Sequence, residues 1–544
     1  MKKLLHLLFI IPFFGITQVT NTGEPLSWKL NTNDIESKKL KTFDLKAIKL
    51  EDSINDQKAT KPWRFGYMHS VDFGLDDGLW TPLENGDRIW RIVIESQGAL
   101  SLNFIFDEFN IPKGSSVYLY NDDRTDLLGA YESNQNQDSG ILGTWLVKGE
   151  KVWIEYFEPL EVKNMGRLHI AKATHGYRNS DTFKKTKALN DSGDCNLDVN
   201  CSIGSDWKDL KELNKKSVGI LLSNGTGFCS GTLINNANND GTPYFLTANH
   251  CYNNDSSSWA FRFGWISPNS VCASSENSTN GPTTMTISGA TLRARHKSSD
   301  FALVEINSAV PQAWGRVFAG WDRSDDFPKF QVGIHHPSGD VMKVCRDDNA
   351  ATKRINGDAQ TWEIEGGSAS GWEVGVTEPG SSGSALFDQN GRIIGQLFGG
   401  GAACNGTADN GAYDYYGRLA VSWNAGLLSS TRLRDWLDPQ NSNIETLNAL
   451  TVTMESNDFE FQNSKLIVSS VDNTIFEIKL KTRFNEQLKL NVFDILGRGI
   501  SSKELKRSGL GYTSSLDMSN TPTGIYIIRV GNSNVSKTIK IVKY

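Results

Sequence analysis

The sequence predicts an all-β protein built in several parts, and three observations carry that expectation. Short runs that alternate apolar and polar residues recur along the 544 residues, separated by Gly, Asn, Asp and Pro clusters, the pattern of antiparallel strands joined by turns. Helical periodicity is scarce. All seven cysteines fall at 195, 201, 229, 251, 272, 345 and 404, so a disulfide-stapled middle stands between two cysteine-free flanks, with one sulfur left over if the others pair. At a prior of about 150 residues per domain the length suggests three or four domains. A 38% hydrophobic and 22% charged composition is enough to bury cores. A formal net charge of −6 lacks the basic face of a dedicated nucleic-acid binder.

The parts follow in order. Met1-Lys2-Lys3 and the apolar Leu4–Phe14 run read as a secretory signal over residues 1–19. That run is shorter than the ~20 residues needed to span a bilayer, and no later stretch is long enough for a transmembrane segment. Export to an oxidising compartment fits the clustered cysteines. Residues 20–189 start with a polar, Lys/Asp-rich lead. They continue as strand-like runs at Arg88–Glu95, Ala99–Phe106, Ser116–Tyr120 and Lys151–Tyr156, which predict a β-sandwich. A polar, Lys-rich stretch from His175 to Asn190 is read as a linker.

Residues 190–445 hold the cysteines. Short strands and many Gly turns there predict a closed β-barrel or sandwich, with one helix over Ser430–Leu437 stopped by Pro439. The middle is acidic: residues 190–450 carry 19 Lys+Arg against 28 Asp+Glu, a net of −9. Residues 446–544 form a further small β domain, with strands at Leu488–Ile495, Gly524–Val530 and Lys537–Val542 and a turn at Gly497.

Three stretches of the middle segment can do chemistry. Phe245-Leu-Thr-Ala-Asn-His250-Cys251 delivers a histidine at a strand end. Ser299-Asp300 sets an aspartate at the mouth of the next apolar run. Glu378-Pro-Gly380-Ser381-Ser382-Gly383-Ser384 is a Gly-rich turn. A serine hydroxyl becomes a nucleophile when an imidazole takes its proton. A carboxylate must hold that imidazole in the right tautomer, and glycines let backbone N–H groups approach an oxyanion. On these residues alone Ser381 and Ser384 compete with Ser382. His335-His336 invites a metal reading, but adjacent strand residues point to opposite faces, and no CxxC or HExxH pattern accompanies them. No metal or other cofactor is expected.

These motifs resemble those of trypsin-like serine proteases, and more closely the secreted bacterial lysyl endopeptidases. The resemblance rests on Cys195-Asn-Leu-Asp-Val-Asn-Cys201, Cys229-Ser-Gly-Thr-Leu-Ile-Asn235, Thr247-Ala-Asn-His250-Cys251, Trp321-Asp-Arg323, Ile334-His-His-Pro337, Val376–Ser384 and Gly417-Arg418. It implies a trypsin-like double β-barrel, flanked by an N-terminal β-sandwich pro-domain and a C-terminal β-sandwich. By that resemblance His250 is the general base, Asp300 its orienter and Ser382 the nucleophile, with the N–H groups of Gly380 and Ser382 as oxyanion hole. It also implies the disulfides Cys195–Cys404, Cys201–Cys272 and Cys229–Cys251, and leaves Cys345 without a counterpart.

The trypsin pocket acid would fall at Val376, so the resemblance places it downstream at Asp414, with Asp409 as the near alternative. A buried aspartate there would pair with a lysine ammonium. Family members with Lys specificity can carry a histidine after Gln-Leu, faced by a tryptophan. Here Gln396-Leu397 is followed by Phe398, and Trp362 is the candidate for the tryptophan. Residues 20–189 resemble pro-regions, with self-cleavage after Lys187 releasing a start near Asn190. The tail resembles C-terminal sorting domains of type IX secretion, through Gly524–Val530 and the Lys-rich last strand. The expectation is a secreted or surface-attached precursor of a monomeric serine endopeptidase cutting after Lys, with protein substrates and an export machinery as partners. The alternatives are Arg or mixed preference, or a non-catalytic adhesin on a protease fold.

Overall fold

The computed structural model describes residues 21–544, apart from 22, 31–33, 57–60, 179–191, 365–370, 452–460, 462–463, 473, 483, 485–486, 496–497, 508–510, 533–535 and 544. The expected signal, the Lys187–Asn190 release region and the Gly497 turn lie outside the described residues. The chain divides into two compact units, residues 1–451 and 452–544. The all-β class holds: strands dominate and the helices are short.

Within the first unit, residues up to 178 form two facing sheets. One follows the order Lys38–Lys39, Arg88–Glu95, Lys151–Glu158, Ser116–Asn121 and Leu127–Glu132, with Leu79–Pro82 on the Arg88–Glu95 strand. The other follows Val147–Lys148, Ser101–Asn110, Arg167–Gly176 and Gly66–Gly74, with Leu142–Gly143 attached. Ile92, Ile94, Val117 and Ile154 from the first sheet meet Leu102, Phe104, Phe106 and Ile170 from the second in one core. The same cluster takes in Ile220, Leu222, Phe228, Ala260 and Trp265 of the cysteine-bearing segment. The sandwich is therefore fused to that segment through shared apolar surface rather than hung from it. His175 belongs to the Arg167–Gly176 strand and is buried, so the expected linker begins later than the sequence suggested.

Two elements depart from expectation. The polar lead contains an α-helix, Leu45–Asn55, begun by Asp44, whose carboxylate accepts the N–H groups of Lys46 and Ala47 at 3.0 Å. The expected Ser430–Leu437 helix is a 3₁₀ turn at Ser429–Thr431 and a short helix at Arg434–Leu437, because Arg432 between them is extended (φ −147°, ψ 150°).

The cysteine-bearing segment supplies two larger sheets. The first runs Thr286–Ser288, Ala260–Phe263, Val218–Ser223, Gly227–Leu233, Tyr244–Ala248, Phe301–Ile306, Ala290–His296. The second runs Leu197–Asp198, Lys343–Asp347, Gln331–His335, Ala385–Phe387, Ile393–Gly400, Asp414–Arg418, Ala359–Ile364, Thr352–Asn356. Leu246 and Leu303 of the first pack with Val332, Ile334, Phe387 and Ile393 of the second. The strands are buried along their length, as in Val218–Ser223 and Gly227–Leu233, which is why they read as apolar runs more than as alternation.

The second unit is a pair of four-stranded sheets. One holds Lys465–Asp472, Ile475–Lys481, Gly511–Asp517 and Lys506–Arg507; the other holds Gly499–Glu504, Lys489–Asp494, Gly524–Gly531 and Ser536–Lys543. Here alternation is plain: Phe476, Ile478 and Leu480 enter the core while Lys479 and Lys481 face water.

Candidate active site

Neighbouring strands of the first sheet of the cysteine-bearing segment deliver the histidine and the aspartate. Tyr244–Ala248 runs into a 3₁₀ turn, Asn249–Cys251, and pairs antiparallel with Phe301–Ile306, setting Ala248 opposite Phe301. Asp300, just before that strand, takes a left-handed backbone (φ 55°) and turns its carboxylate to His250. His250 Nδ1 lies 2.6 Å from Asp300 Oδ2, and His250 N–H donates to Oδ1 at 3.1 Å. Both side chains are nearly buried, 5% and 6% exposed. His250 Nε2 makes no hydrogen bond. Phe398 meets the imidazole edge-on at 6.5 Å.

The Gly-rich turn just before Ala385–Phe387 brings the Ser382 carbonyl to 3.8 Å from the sulfur of Cys251, the residue after His250. Ser230 holds it: its N–H donates to the Ser382 carbonyl at 2.8 Å and its hydroxyl to the Gly380 carbonyl at 3.0 Å. Gly380 and Gly383 sit at φ 99° and 84°. A Cβ on Gly383 would stand 2.6 Å from the Ala248 nitrogen and 2.2 Å from Thr247 Oγ1, so only glycine lets the turn abut the strand that carries His250.

The three serines are separated by their surroundings. Ser381 is fully buried, and its Oγ lies 2.7 Å from His335 Nδ1 and accepts the Glu378 N–H. Ser384 is fully buried as well. Ser382 is half-buried and lines a cavity of about 380 Å³.

That cavity reaches Asp414. Asp414 is 1% exposed, and its Oδ2 accepts from Thr377 Oγ1 at 2.7 Å and Trp372 Nε1 at 2.8 Å. Its Oδ1 has no hydrogen-bonding side chain. Burial pushes the carboxyl up to about 6, although the Thr377 and Trp372 hydrogen bonds and the Ala402 backbone pull it down. Asp409 instead accepts the N–H of Gly411 in its own turn at 2.7 Å and lies off the cavity wall. Val376 is buried in the core beside Trp372 and Tyr416. A second cavity of about 580 Å³ adjoins, lined by His250, Asp300, Phe398 and Tyr252.

His335 and His336 do point apart. His335 faces Ser381, while His336 Nδ1 meets the Asp340 carbonyl at 2.8 Å and its ring stacks on Trp265. Burial drives them down to about 3 and about 4, so both are neutral. The sulfurs of Cys229 and Cys251 lie near His250 but are bonded to each other. The remaining disulfides are Cys195–Cys404 and Cys201–Cys272, and Cys345 is free and buried.

Sequence reasoning missed three residues here. Trp372 donates its indole N–H to Asp414, while Trp362 donates to the Ile394 carbonyl at 3.0 Å and packs on Phe327. Thr377, the second donor to Asp414, lay unremarked beside the Glu378-Pro turn. Ser230 lay inside the quoted Cys229-Ser-Gly motif, but its grip on a turn 150 residues away leaves no local signal.

Residues 189–417 match the lysyl endopeptidase C-terminal domain, and residues 472–544 match the secretion system C-terminal sorting domain. A curated lysyl endopeptidase of Pseudomonas aeruginosa is 24% identical over 284 residues, covering 50% of this chain and 59% of that protein. The chain thus spans little more than half the length of that relative. Two solved structures overlap part of the chain. Rv3671c of M. tuberculosis H37Rv, in an inactive form, has 17% identity and a TM-score of 0.25 and covers 38% of this chain and 84% of its own. Deg5 has 12% identity and a TM-score of 0.24, with coverages of 39% and 89%. The middle of the chain is therefore similar to the lysyl endopeptidase C-terminal domain, and its end to the secretion system C-terminal sorting domain.

Proposed function

We propose that the chain is the precursor of a secreted serine endopeptidase that cleaves peptide bonds on the carboxyl side of lysine. The observation that carries this reading is a single cavity whose mouth holds the half-buried Ser382 and whose wall holds the buried carboxylate of Asp414. A P1 lysine reaching in would bring its ammonium to Asp414, and the charge pair would offset the cost of desolvating both. Trp372 and Thr377 hold one carboxylate oxygen and leave the other for the ligand.

The Ser382 hydroxyl attacks the scissile carbonyl while His250 Nε2 takes its proton. Asp300 fixes the opposite nitrogen and stabilises the imidazolium. The N–H groups of Gly380 and Ser382 receive the oxyanion. His250 then protonates the leaving amine, and water, deprotonated by the same imidazole, releases the acyl group. The reaction consumes one water and returns every group to its starting state. The sorting domain would hand the chain to the export machinery, and the released protease would act as a monomer on lysine-bearing proteins.

The test is a Lys amide substrate offered to the wild type and to Ser382→Ala, together with a fluorophosphonate probe. Turnover and labelling lost only in the variant support the assignment; equal turnover by both would overturn it. A cleavage profile on a mixed peptide library decides Lys against Arg.

A further inference from the structure

The pro-region does more than precede the protease segment: it reaches into the site. Trp63–Arg64 pairs antiparallel with Gly227–Leu233, Trp63 opposite Phe228 and Arg64 opposite Gly227. Phe65 N–H continues the ladder by donating to the Thr226 carbonyl at 2.9 Å. Continuing the same register backwards sets Pro62 beside Cys229 and Lys61 beside Ser230, the residue whose N–H holds the Ser382 carbonyl. The cavities agree with that count. Lys61, Pro62 and Arg64 line both the cavity of Ser382 and Asp414 and the neighbouring one of His250 and Asp300. Lys61 itself is exposed at their shared mouth.

The strand is held from both sides. Phe228 stacks against Phe65 at 4.6 Å and Trp63 at 6.2 Å. Arg64 Nε donates to Asp52 Oδ1 at 2.7 Å, and that fully buried carboxylate of the Leu45–Asn55 helix also accepts from Tyr177 at 2.7 Å and Arg178 Nε at 3.1 Å. A buried acid shared by two guanidinium groups and a phenol is a rigid anchor, since removing one partner leaves an uncompensated charge.

We propose that Lys61–Phe65 is a built-in, substrate-like plug. It lies along the leaving-group side of the site, with the Lys61–Pro62 bond in the register of a scissile bond while the Lys61 side chain stays exposed at the mouth and does not reach Asp414. The inference rests on Ser382 and His250 being the reacting pair. Pro62 is what keeps the plug from being consumed. Its nitrogen belongs to a ring, so a Cδ carbon crowds the atom that His250 would have to protonate, and φ is fixed. A lysine followed by any other residue in this place would be a substrate; a lysine followed by proline is an inhibitor. The Phe228 edge freed by removal of the pro-region would then accept an extended substrate with an aromatic residue second after the cut.

The test uses the full chain. In Pro62→Ala the plug becomes cleavable, and N-terminal sequencing should find a new end at residue 62 that is absent from wild type and from Pro62→Ala/Ser382→Ala. In Trp63→Ala the loosened strand should let a fluorophosphonate label the intact precursor about tenfold faster than wild type, the scale of one lost aromatic stack plus its burial. An intact bond after Lys61 in Pro62→Ala, with wild-type precursor labelled as fast as Trp63→Ala, would overturn the plug while leaving the Ser382 assignment standing. Absence of labelling and of Lys amide turnover in every chain would overturn that assignment and the plug with it.

Discussion

His250 and Asp300 are joined twice, by the imidazole Nδ1 at 2.6 Å from one carboxylate oxygen and by the His250 backbone N–H at 3.1 Å from the other. The carboxylate can only accept, so it selects the tautomer with hydrogen on Nδ1 and leaves the Nε2 lone pair free. The backbone contact adds rigidity, because the acid orients the ring and the chain that carries it.

Asp300→Asn keeps the shape but can present an N–H to Nδ1, which favours the wrong tautomer. The expected result is a fall in kcat on the order of 10⁴ with KM changed little, the behaviour of this type of triad. Steady-state kinetics on a Lys amide checks it; a loss below tenfold would mean that another group orients His250.

Asp414 should impose a pH dependence on lysine recognition alone. With its carboxyl raised to about 6, the ratio of kcat/KM for a Lys ester to that for a neutral norleucine ester should rise as pH passes about 6. Asp414→Asn should abolish that step. The linkage to stability has the opposite sign. The folded pKa exceeds the unfolded one, so the native state holds the extra proton between about 4 and 6, and stability falls as pH rises through that window. Asp414→Asn should therefore stabilise by on the order of 1–3 kcal/mol at pH 7 and hardly at all near pH 3.5. Urea unfolding at the two pH values measures it.

The sequence disclosed those parts of the molecule whose physics is local. Arg88–Glu95 is a strand with the bounds its alternation suggests, His250 and Asp300 meet, and the turn that carries Ser382 abuts the Thr247–Cys251 motif. The Leu45–Asn55 helix stayed hidden because its purpose is not a core. Leu50 and Ile54 remain exposed at 66% and 52%, and the residue it buries is an acid, Asp52. Nor could periodicity reveal that Trp63 would pair with Phe228, a contact spanning more than 160 residues. Trp372 escaped for a related reason: an indole N–H facing a carboxylate 42 residues later has no signature in the intervening chain.

Cys345 should be chemically silent in the folded protein. Its sulfur is fully buried next to Gly333, and burial, with the nearby Asp414 charge, raises the thiol well above its usual range. Ellman's reagent should detect no thiol in native protein and one per chain in non-reducing denaturant. A thiol titrating under native conditions would mean that the wall behind Asp414 opens.

Gly400 bounds the proposed lysine pocket at Asp414. It stands opposite Asp414 in the pairing of Ile393–Gly400 with Asp414–Arg418, and a Cβ there would lie 2.0 Å from Asp414 Oδ1 and 2.4 Å from the Tyr413 carbonyl. The carboxylate oxygen left free for a ligand can therefore exist only against a residue with no side chain. Gly400→Ala must push Asp414 off its donors Thr377 and Trp372 or spread the strand pair, an overpacking cost of about 1–3 kcal/mol. Lys amide kcat/KM should drop by at least about tenfold, corresponding to about 1.4 kcal/mol of transition-state stabilisation, mostly through KM. Gly401→Ala is the control, since a Cβ there meets only Ala412 at 3.3 Å, and it should retain most of the activity. Equal losses in the two variants would place the ammonium site elsewhere than at Asp414.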